Sequence, residues 1–336
     1  MVDSLGGEYP LVAIVGPTGA GKSALAVGLA ERLAGEIVNC DSVQVYQGFD
    51  VGAGKLPPEA RRGIPHHLLD FREPAEVFTA GDYRQAAQQV LTGLRERGKI
   101  PILVGGTGLY LRALLLGLFP GPPRSEGLRS RLRTLAERQG RETLHRLLGR
   151  LDPRAAARIQ PRDTQKVIRA LEVCLLARQP LSEMQARGRP GLEGYRVLKI
   201  GLDPERAQLY ARINQRVERM FAGGLLEEAK VLLGRPDARQ IKPLQALGYR
   251  QACAVLRGEL TLPEAIRATQ VATRRYAKRQ MTWFRREHGI AWFSGFGDAP
   301  AVQEQVLDWL RRNWPDAARA RGLSGPGSQL PRPDEA

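Results

Sequence analysis

Apolar and polar positions alternate along the chain in two distinct textures. Tyr9–Val15 is an apolar run of strand length that ends in glycines, and Leu25, Leu29 and Leu33 follow at helical spacing. That pattern predicts a strand and then a helix over 23–33. A short apolar segment at 36–40 predicts a second strand, 82–97 an amphipathic helix, and Ile100–Val104 a buried strand closed by Gly105-Gly106. Strands separated by helices point to a parallel sheet, so the fold class is α/β.

Near Gly117 the texture changes. PGPPR at 120–124 is a breaker cluster, and beyond it the periodicity is helical to about Arg187. Leu128, Leu132 and Leu135 share one face, and Val167, Leu171 and Cys174 form another stripe. Asp152-Pro153 and Asp163-Thr164 have the form of helix starts with aspartate as the cap. GRPGLEG at 188–194 ends the helical texture, and 195–203 returns as a strand. A helical stretch bracketed by breakers inside an α/β chain reads as an inserted all-helical subdomain. From Pro204 the pattern is mostly helical again. Thr261-Leu262-Pro263-Glu264 is a capping box that opens a helix reaching about Glu287. Ile290–Phe293 is the expected last strand and 302–313 the last helix. The expected division is therefore 8–118 and 195–314 for the sheet core, 119–194 for the insertion, and 315–336 for a mobile tail rich in Pro, Gly, Arg and Ala.

Composition narrows the partners. The 336 residues carry 51 Lys and Arg against 35 Asp and Glu, a net charge of +16. Residues 124–190 alone hold sixteen basic and seven acidic side chains, and seven basic residues with no acid lie between Arg267 and Arg286. In that last stretch Arg274 and Lys278, like Arg275 and Arg279, stand one helical turn apart. Their repulsion is relieved when an anion binds. Tyr276, Trp283 and Phe284 are interleaved, as stacking or core residues. Two basic regions suit a large polyanion such as a nucleic acid. No apolar run is long enough to span a membrane, and the N-terminus lacks a secretory pattern. The three cysteines are too scattered for a disulfide framework or a zinc site. The chain is expected in a reducing compartment, the cytoplasm.

Gly16-Pro17-Thr18-Gly19-Ala20-Gly21-Lys22-Ser23 fits the phosphate-loop pattern in full, after a strand and before a helix. Its glycines let backbone N–H groups converge on phosphate oxygens at a helix N-terminus. Lys22 adds a point charge, and the Ser23 hydroxyl is placed for Mg²⁺. Ordinary nucleotide hydrolases hold Mg²⁺ with an aspartate after a later strand, whereas Ile100–Val104 runs into Gly-Gly-Thr-Gly-Leu-Tyr. An acid appears instead after the second strand, at Asp41. Ligands of open α/β sheets bind at the carboxyl ends of the strands, so Asp41 and Lys22 should face one crevice, with Asp41 toward the acceptor. The alternative is that Asp41 caps a local turn. His66 and His67, adjacent on an extended segment, point to opposite faces and do not share an ion. They are expected to be structural or loop-positioning, with a substrate contact as the lesser alternative.

Together these motifs resemble the tRNA dimethylallyltransferase family. The resemblance rests on GPTGAGKS (16–23), DSVQVYQGFDVG (41–52), GIPHHLLD (63–70), GGTGLYLRALL (105–115), DTQKVIRALEV (163–173), ALGYRQ (246–251) and YAKRQMTWFR (276–285), and spans about residues 10–290. It implies a P-loop NTPase-like core whose helical insertion grips the tRNA anticodon stem-loop. It also implies transfer of a dimethylallyl group from dimethylallyl diphosphate to the exocyclic amine of the adenosine 3′ of the anticodon, with Mg²⁺ and without ATP. On the matching positions, Gly16 and Thr18, Gly19, Ala20, Gly21, Lys22 and Ser23 bind the diphosphate. Asp41 is the general base, Thr107 contacts the target nucleotide, and Arg216 stabilises the leaving diphosphate. The implied tRNA contacts are Asp41, Ser42, Val43 and Gln44, Thr107, Arg129, then Gln165, Lys166, Val167, Ile168 and Arg169, and Gln245, Ala246, Leu247, Gly248, Tyr249 and Arg250.

One segment departs from the family pattern. Where I-G-T-A-K-P is usual, this chain has Val51-Gly52-Ala53-Gly54-Lys55-Leu56, which leaves the role of Lys55 open. No Cys/His cluster follows Cys253, so the eukaryotic zinc finger is missing and a bacterial or organellar type is expected. Nothing in the pattern demands a dimer, and a monomer is expected. Three rivals share some of these features: a P-loop nucleoside or small-molecule kinase, a non-catalytic RNA-binding module, and an adenylate isopentenyltransferase. The large basic insertion weighs against the first and third.

Overall fold

The computed structural model describes residues 8–188 and 191–314. Six strands form one parallel sheet: β1 (Tyr9–Val15), β2 (Gly35–Asn39), β3 (His66–His67), β4 (Ile100–Val104), β5 (Tyr195–Leu202) and β6 (Ile290–Phe293), in the order β3-β2-β4-β1-β5-β6. β1 is central, with Val12 opposite Ile102 on one side and Ile14 opposite Ile200 on the other. A central parallel strand is covered on both faces, which is why β1 and β4 read as near-continuous apolar runs, and β2 is buried at all five positions although it carries Glu36 and Asn39. The phosphate loop after β1 and the segments after β2 and β4 all leave from the carboxyl edge of the sheet, where such folds bind ligands.

Two apolar layers support that edge. The helix Lys22–Leu33 buries Leu25, Leu29 and Leu33 with Val302, Val306 and Leu310 of the helix Pro300–Asn313. A second cluster joins Val45 and Phe49 from the segment after β2 to Val217, Phe221, Leu225 and Tyr249. These come from the helices Arg206–Ala222, Leu225–Leu233 and Tyr249–Leu256. The expected capping box is present, and its helix, Leu262–Phe284, ends three residues short of Glu287. Glu287 turns its carboxylate to Arg112 at 3.0 Å instead of continuing the helix.

Leu114–Glu193 is a compact unit of its own, beginning before the PGPPR breaker. Asp152 and Asp163 cap their helices by accepting from the Ala155 and Lys166 N–H groups. Leu132, Leu144, Leu148, Leu171 and Met184 make its core. The fully buried Glu172 carboxylate accepts from Arg129 Nε and Nη2 (both 2.9 Å), Arg169 Nη1 (2.6 Å) and the Ser125 N–H (2.8 Å). The tail expected at 315–336 lies outside the described residues.

Candidate active site

The phosphate loop is shaped by close approach. Gly21 has φ +81°, and a Cβ there would meet Asp298 Oδ1 at 2.7 Å and the Gly297 nitrogen at 2.9 Å. Gly21 is the N-cap of the helix Lys22–Leu33, and no side chain caps the exposed N–H groups of that helix. Lys22, Ser23 and Ala24 therefore present backbone donors to a cavity of 780 Å³, and all three residues line it. Lys22 Nζ donates to the Pro17 carbonyl at 2.8 Å. Burial lowers the Lys22 ammonium to about 8; Asp41 counters that fall and Arg216 adds to it.

Only part of the loop faces the cavity. Thr18, Gly19, Gly21, Lys22 and Ser23 line it, and Gly16 and Ala20 do not. Gly16 and Ala20 are buried, and the Ala20 N–H donates to the Pro17 carbonyl at 3.3 Å. The Thr18 N–H is also committed, to Gln280 Oε1 at 2.8 Å.

Asp41 combines the two roles that its position allowed. Oδ1 accepts from the Val43 N–H (2.9 Å) and the Gln44 N–H (3.3 Å), which fixes the turn after β2. The residue also lines the 780 Å³ cavity and an adjoining one of 340 Å³. Thr107 stands behind this turn. Its Oγ1 accepts from the Ser42 N–H at 3.0 Å and lies 3.3 Å from the Ser42 hydroxyl. Thr107 thus braces Asp41 and lines neither cavity. The glycines around it make room: a Cβ on Gly105 would collide with the Cys40 backbone, on Gly106 with Gln280, and on Gly108 with Trp283.

The third wall comes from the helix Arg206–Ala222. Arg212, Arg216 and Arg219 all line the larger cavity. Burial lowers the Arg216 guanidinium and Asp41 offsets part of that effect. Arg212 is bidentate on Asp298 at 2.8 and 2.7 Å. The two cavities share Thr18, Asp41, Ala53, Arg216, Met220 and Tyr276. Lys22 and the helix N-terminus belong to one cavity only; Ser42, Val43, Gln245, Ala246, Leu247 and Gly248 belong to the other.

The divergent segment 51–56 and the preceding Asp50 are held by structural partners. Glu228 accepts from the N–H groups of Asp50 (2.9 Å), Val51 (2.8 Å) and Gly52 (3.2 Å), and from the Tyr249 hydroxyl. That hydroxyl in turn accepts from the Ala53 N–H at 3.2 Å. Gln44 Nε2 reaches the Ala53 carbonyl at 3.1 Å. Lys55, with a side chain only 3% exposed, gives its three donors to the Tyr46 carbonyl (2.7 Å), Asp50 (2.8 Å) and Asp70. A lysine ammonium has three donors, so Lys55 anchors this loop and has none left for a phosphate.

The other residues expected to contact RNA differ in exposure and in partners. Tyr249 is fully buried, with its hydroxyl occupied as described. Val167 and Ile168, 1% and 4% exposed, belong to the core of the helical unit, where only Gln165 and Lys166 of that run are exposed. Arg129 and Arg169 are tied to Glu172. Arg250 is exposed and lines a groove with Arg267, Arg275 and Arg279. Of the aromatics, Phe284 is core, Trp283 lies partly exposed under Arg112, and Tyr276 faces both cavities. His66 Nδ1 lies 2.8 Å from the Ile64 carbonyl and His67 Nε2 lies 2.6 Å from Glu36, so both histidines hold the sheet edge. Glu228 lies in none of the quoted motifs, and Gln280 lies within YAKRQMTWFR without a role assigned to it. Each is a polar residue on an amphipathic helix, and its importance comes from partners distant in sequence.

Comparison with known proteins agrees with this geometry. The IPP transferase family model matches residues 44–287. A tRNA dimethylallyltransferase of Solibacter usitatus is 54% identical over 299 residues, covering 89% of this chain and 97% of that one. The full-length tRNA isopentenylpyrophosphate transferase of Bacillus halodurans is 38% identical with a TM-score of 0.68, covering 94% of this chain and all of the other. A eukaryotic dimethylallyltransferase solved acting on tRNA is 26% identical with a TM-score of 0.74, covering 91% of this chain and 79% of its own. A parallel sheet with an uncapped phosphate-loop helix, an aspartate at the neighbouring strand end and relatives this close assign the chain to the tRNA dimethylallyltransferase family.

Proposed function

We propose that this enzyme transfers a dimethylallyl group from dimethylallyl diphosphate to the exocyclic amine of the adenosine 3′ of a tRNA anticodon, releasing diphosphate. The observation that carries the reading is the meeting of two cavities at Asp41, Arg216 and Tyr276. One cavity has the cations and free N–H groups that a diphosphate needs. The other has room for a base that has left its stack.

The chemistry follows from those neighbours. An exocyclic amine is a weak nucleophile because its lone pair is delocalised into the ring. Asp41 takes the amine proton as the C–N bond forms, which avoids a cationic intermediate. Negative charge grows on the diphosphate as the allylic C–O bond breaks. Lys22, Arg216 and the N–H groups of Lys22, Ser23 and Ala24 are fixed donors for that charge. Thr107 keeps the Asp41 turn in register through Ser42.

The site also fits Mg²⁺. It offers a hard oxygen ligand, Ser23 Oγ, beside the phosphate donors. That suits an ion that keeps waters and takes its other ligands from phosphate. Ser23 would hold it, and it would neutralise charge on the diphosphate.

Arg250, Arg267, Arg275 and Arg279 supply a basic groove for the RNA backbone, and Gln165 and Lys166 add exposed polar side chains on the helical unit. One chain lines both cavities, which supports action as a monomer. No described helix is long and apolar enough to cross a membrane, and a tRNA substrate favours work in the cytoplasm. The test is diphosphate release from dimethylallyl diphosphate, with and without anticodon stem-loop RNA, beside Asp41→Ala. RNA-dependent release that Asp41→Ala loses by about 10²-fold or more supports the reading. ATP turnover in place of that release would favour a kinase.

A further inference from the structure

Gln280 lies on the helix Leu262–Phe284 and is 5% exposed. Its Oε1 accepts from the Thr18 N–H at 2.8 Å, and its Nε2 donates to the Gly106 carbonyl at 2.9 Å. The two partners come from the carboxyl ends of neighbouring strands, β1 and β4. One is a donor and the other an acceptor, so a neutral amide in a single orientation satisfies both. Gly106 also lacks the Cβ that would fill the Nε2 position.

The bonds continue past Gly106. Its neighbour Thr107 accepts from the Ser42 N–H, and Ser42 follows Asp41. An unbroken path thus runs from the donor-binding loop, through the Gln280 amide, to the turn that carries the base. Lys22, four residues beyond Thr18, presents its ammonium to the same cavity as Asp41. A shift of either end relative to the other changes the distance between the allylic carbon and the attacking amine.

We propose that Gln280 is a positioning residue for prenyl transfer: its side-chain amide fixes the spacing between the diphosphate loop and the Asp41 turn. This rests on the function proposed above. Gln280 also lines the larger cavity, and the role proposed for it acts through its bonds to Thr18 and Gly106.

The test compares Gln280→Glu and Gln280→Met with the wild-type chain in transfer of labelled dimethylallyl diphosphate to anticodon stem-loop RNA across pH, with melting curves for each protein. In Gln280→Glu the ionised carboxylate still accepts from Thr18 but faces the Gly106 carbonyl without a proton. Once protonated it reproduces the donor and acceptor of the amide, and burial raises the pH at which that happens. A misplacement of about 1 Å lowers rates by up to about 10²-fold. At about pH 8, kcat of Gln280→Glu should fall roughly 10–100-fold with KM for RNA unchanged. The deficit relative to wild type should shrink as the pH falls, whereas that of Gln280→Met should stay constant. A Gln280→Glu deficit that is equal at every pH, or either variant within about twofold of wild type, would overturn the proposal. If Gln280→Glu folds poorly by its melting curve, Gln280→Met decides by the split between kcat and KM for RNA. A wild-type chain that makes no product sinks the proposed function itself, whereas active wild type with unaffected variants sinks only this inference.

Discussion

Lys22 makes donor capture sensitive to pH in a direction that the structure fixes. Burial brings its ammonium from the usual 10.5 down to about 8, against the pull of Asp41 and with the help of Arg216. At about 1.4 kcal/mol per tenfold change, that fall corresponds to about 3 kcal/mol of disfavoured charge, which a bound diphosphate reverses. The profile of kcat/KM reports groups of the free enzyme. For dimethylallyl diphosphate it should therefore turn down above about pH 8 and approach tenfold per pH unit, reaching roughly hundredfold below the plateau near pH 10. With the donor saturating, the limb in kcat should move to higher pH, because the bound anion raises the ammonium again. Lys22→Arg keeps its charge past pH 12, so the alkaline limb should vanish even if the plateau is lower. Stability moves the opposite way. The folded free chain binds fewer protons at Lys22 than the unfolded chain between about pH 8 and 10.5, so this group adds stability as pH rises through that window. Stabilisation by the donor should shrink over the same window. A kcat/KM profile that is flat from about pH 7 to 10, or an alkaline limb unchanged in Lys22→Arg, would refute the reasoning.

Two further outcomes concern the frame around the site. Gly105→Ala puts a Cβ into the Cys40 backbone, which cannot move aside as a side chain can. It should lower stability by about 1–3 kcal/mol and reduce kcat by displacing the Asp41 turn, as read by denaturant melts and the transfer assay. In the helical unit, burial alone would raise the Glu172 carboxyl. The bonds from Arg129, Arg169 and the Ser125 N–H outweigh it and hold the group near 2, against an ordinary 4.5. That stabilisation is complete above about pH 4.5 and is lost as pH falls toward 2. It amounts to up to about 3 kcal/mol, and Glu172→Gln should remove that part of the pH dependence of the melting midpoint.

The features legible in the sequence are those fixed by local pattern. β1, β4 and β6 are apolar runs bounded by breakers, and the capping box at Thr261 and the aspartate caps at 152 and 163 need only residues three positions apart. Lys22 and Asp41 could be brought together because a parallel sheet directs its strand ends to one edge. What escaped depends on distant partners. Gln280 matters through Thr18, 262 residues away, and Glu228 through three N–H groups of a loop 176–178 residues away. Matching a motif also does not separate the exposed residues of a helix from the buried ones. Gln165 and Lys166 are exposed, whereas the adjoining Val167 and Ile168 are core. Lys55 carries a charge of the kind a ligand uses, yet it spends all three donors on the chain itself.

The most direct test of the central claim is the position of the modification. Purified chain, Mg²⁺ and dimethylallyl diphosphate would be incubated with unmodified tRNA, and the product digested and sequenced by mass spectrometry. One dimethylallyl group is expected, on the exocyclic amine of the adenosine 3′ of the anticodon, and none when that adenosine is replaced by guanosine. Label on free adenosine nucleotides instead, or on tRNA independently of that adenosine, would contradict it.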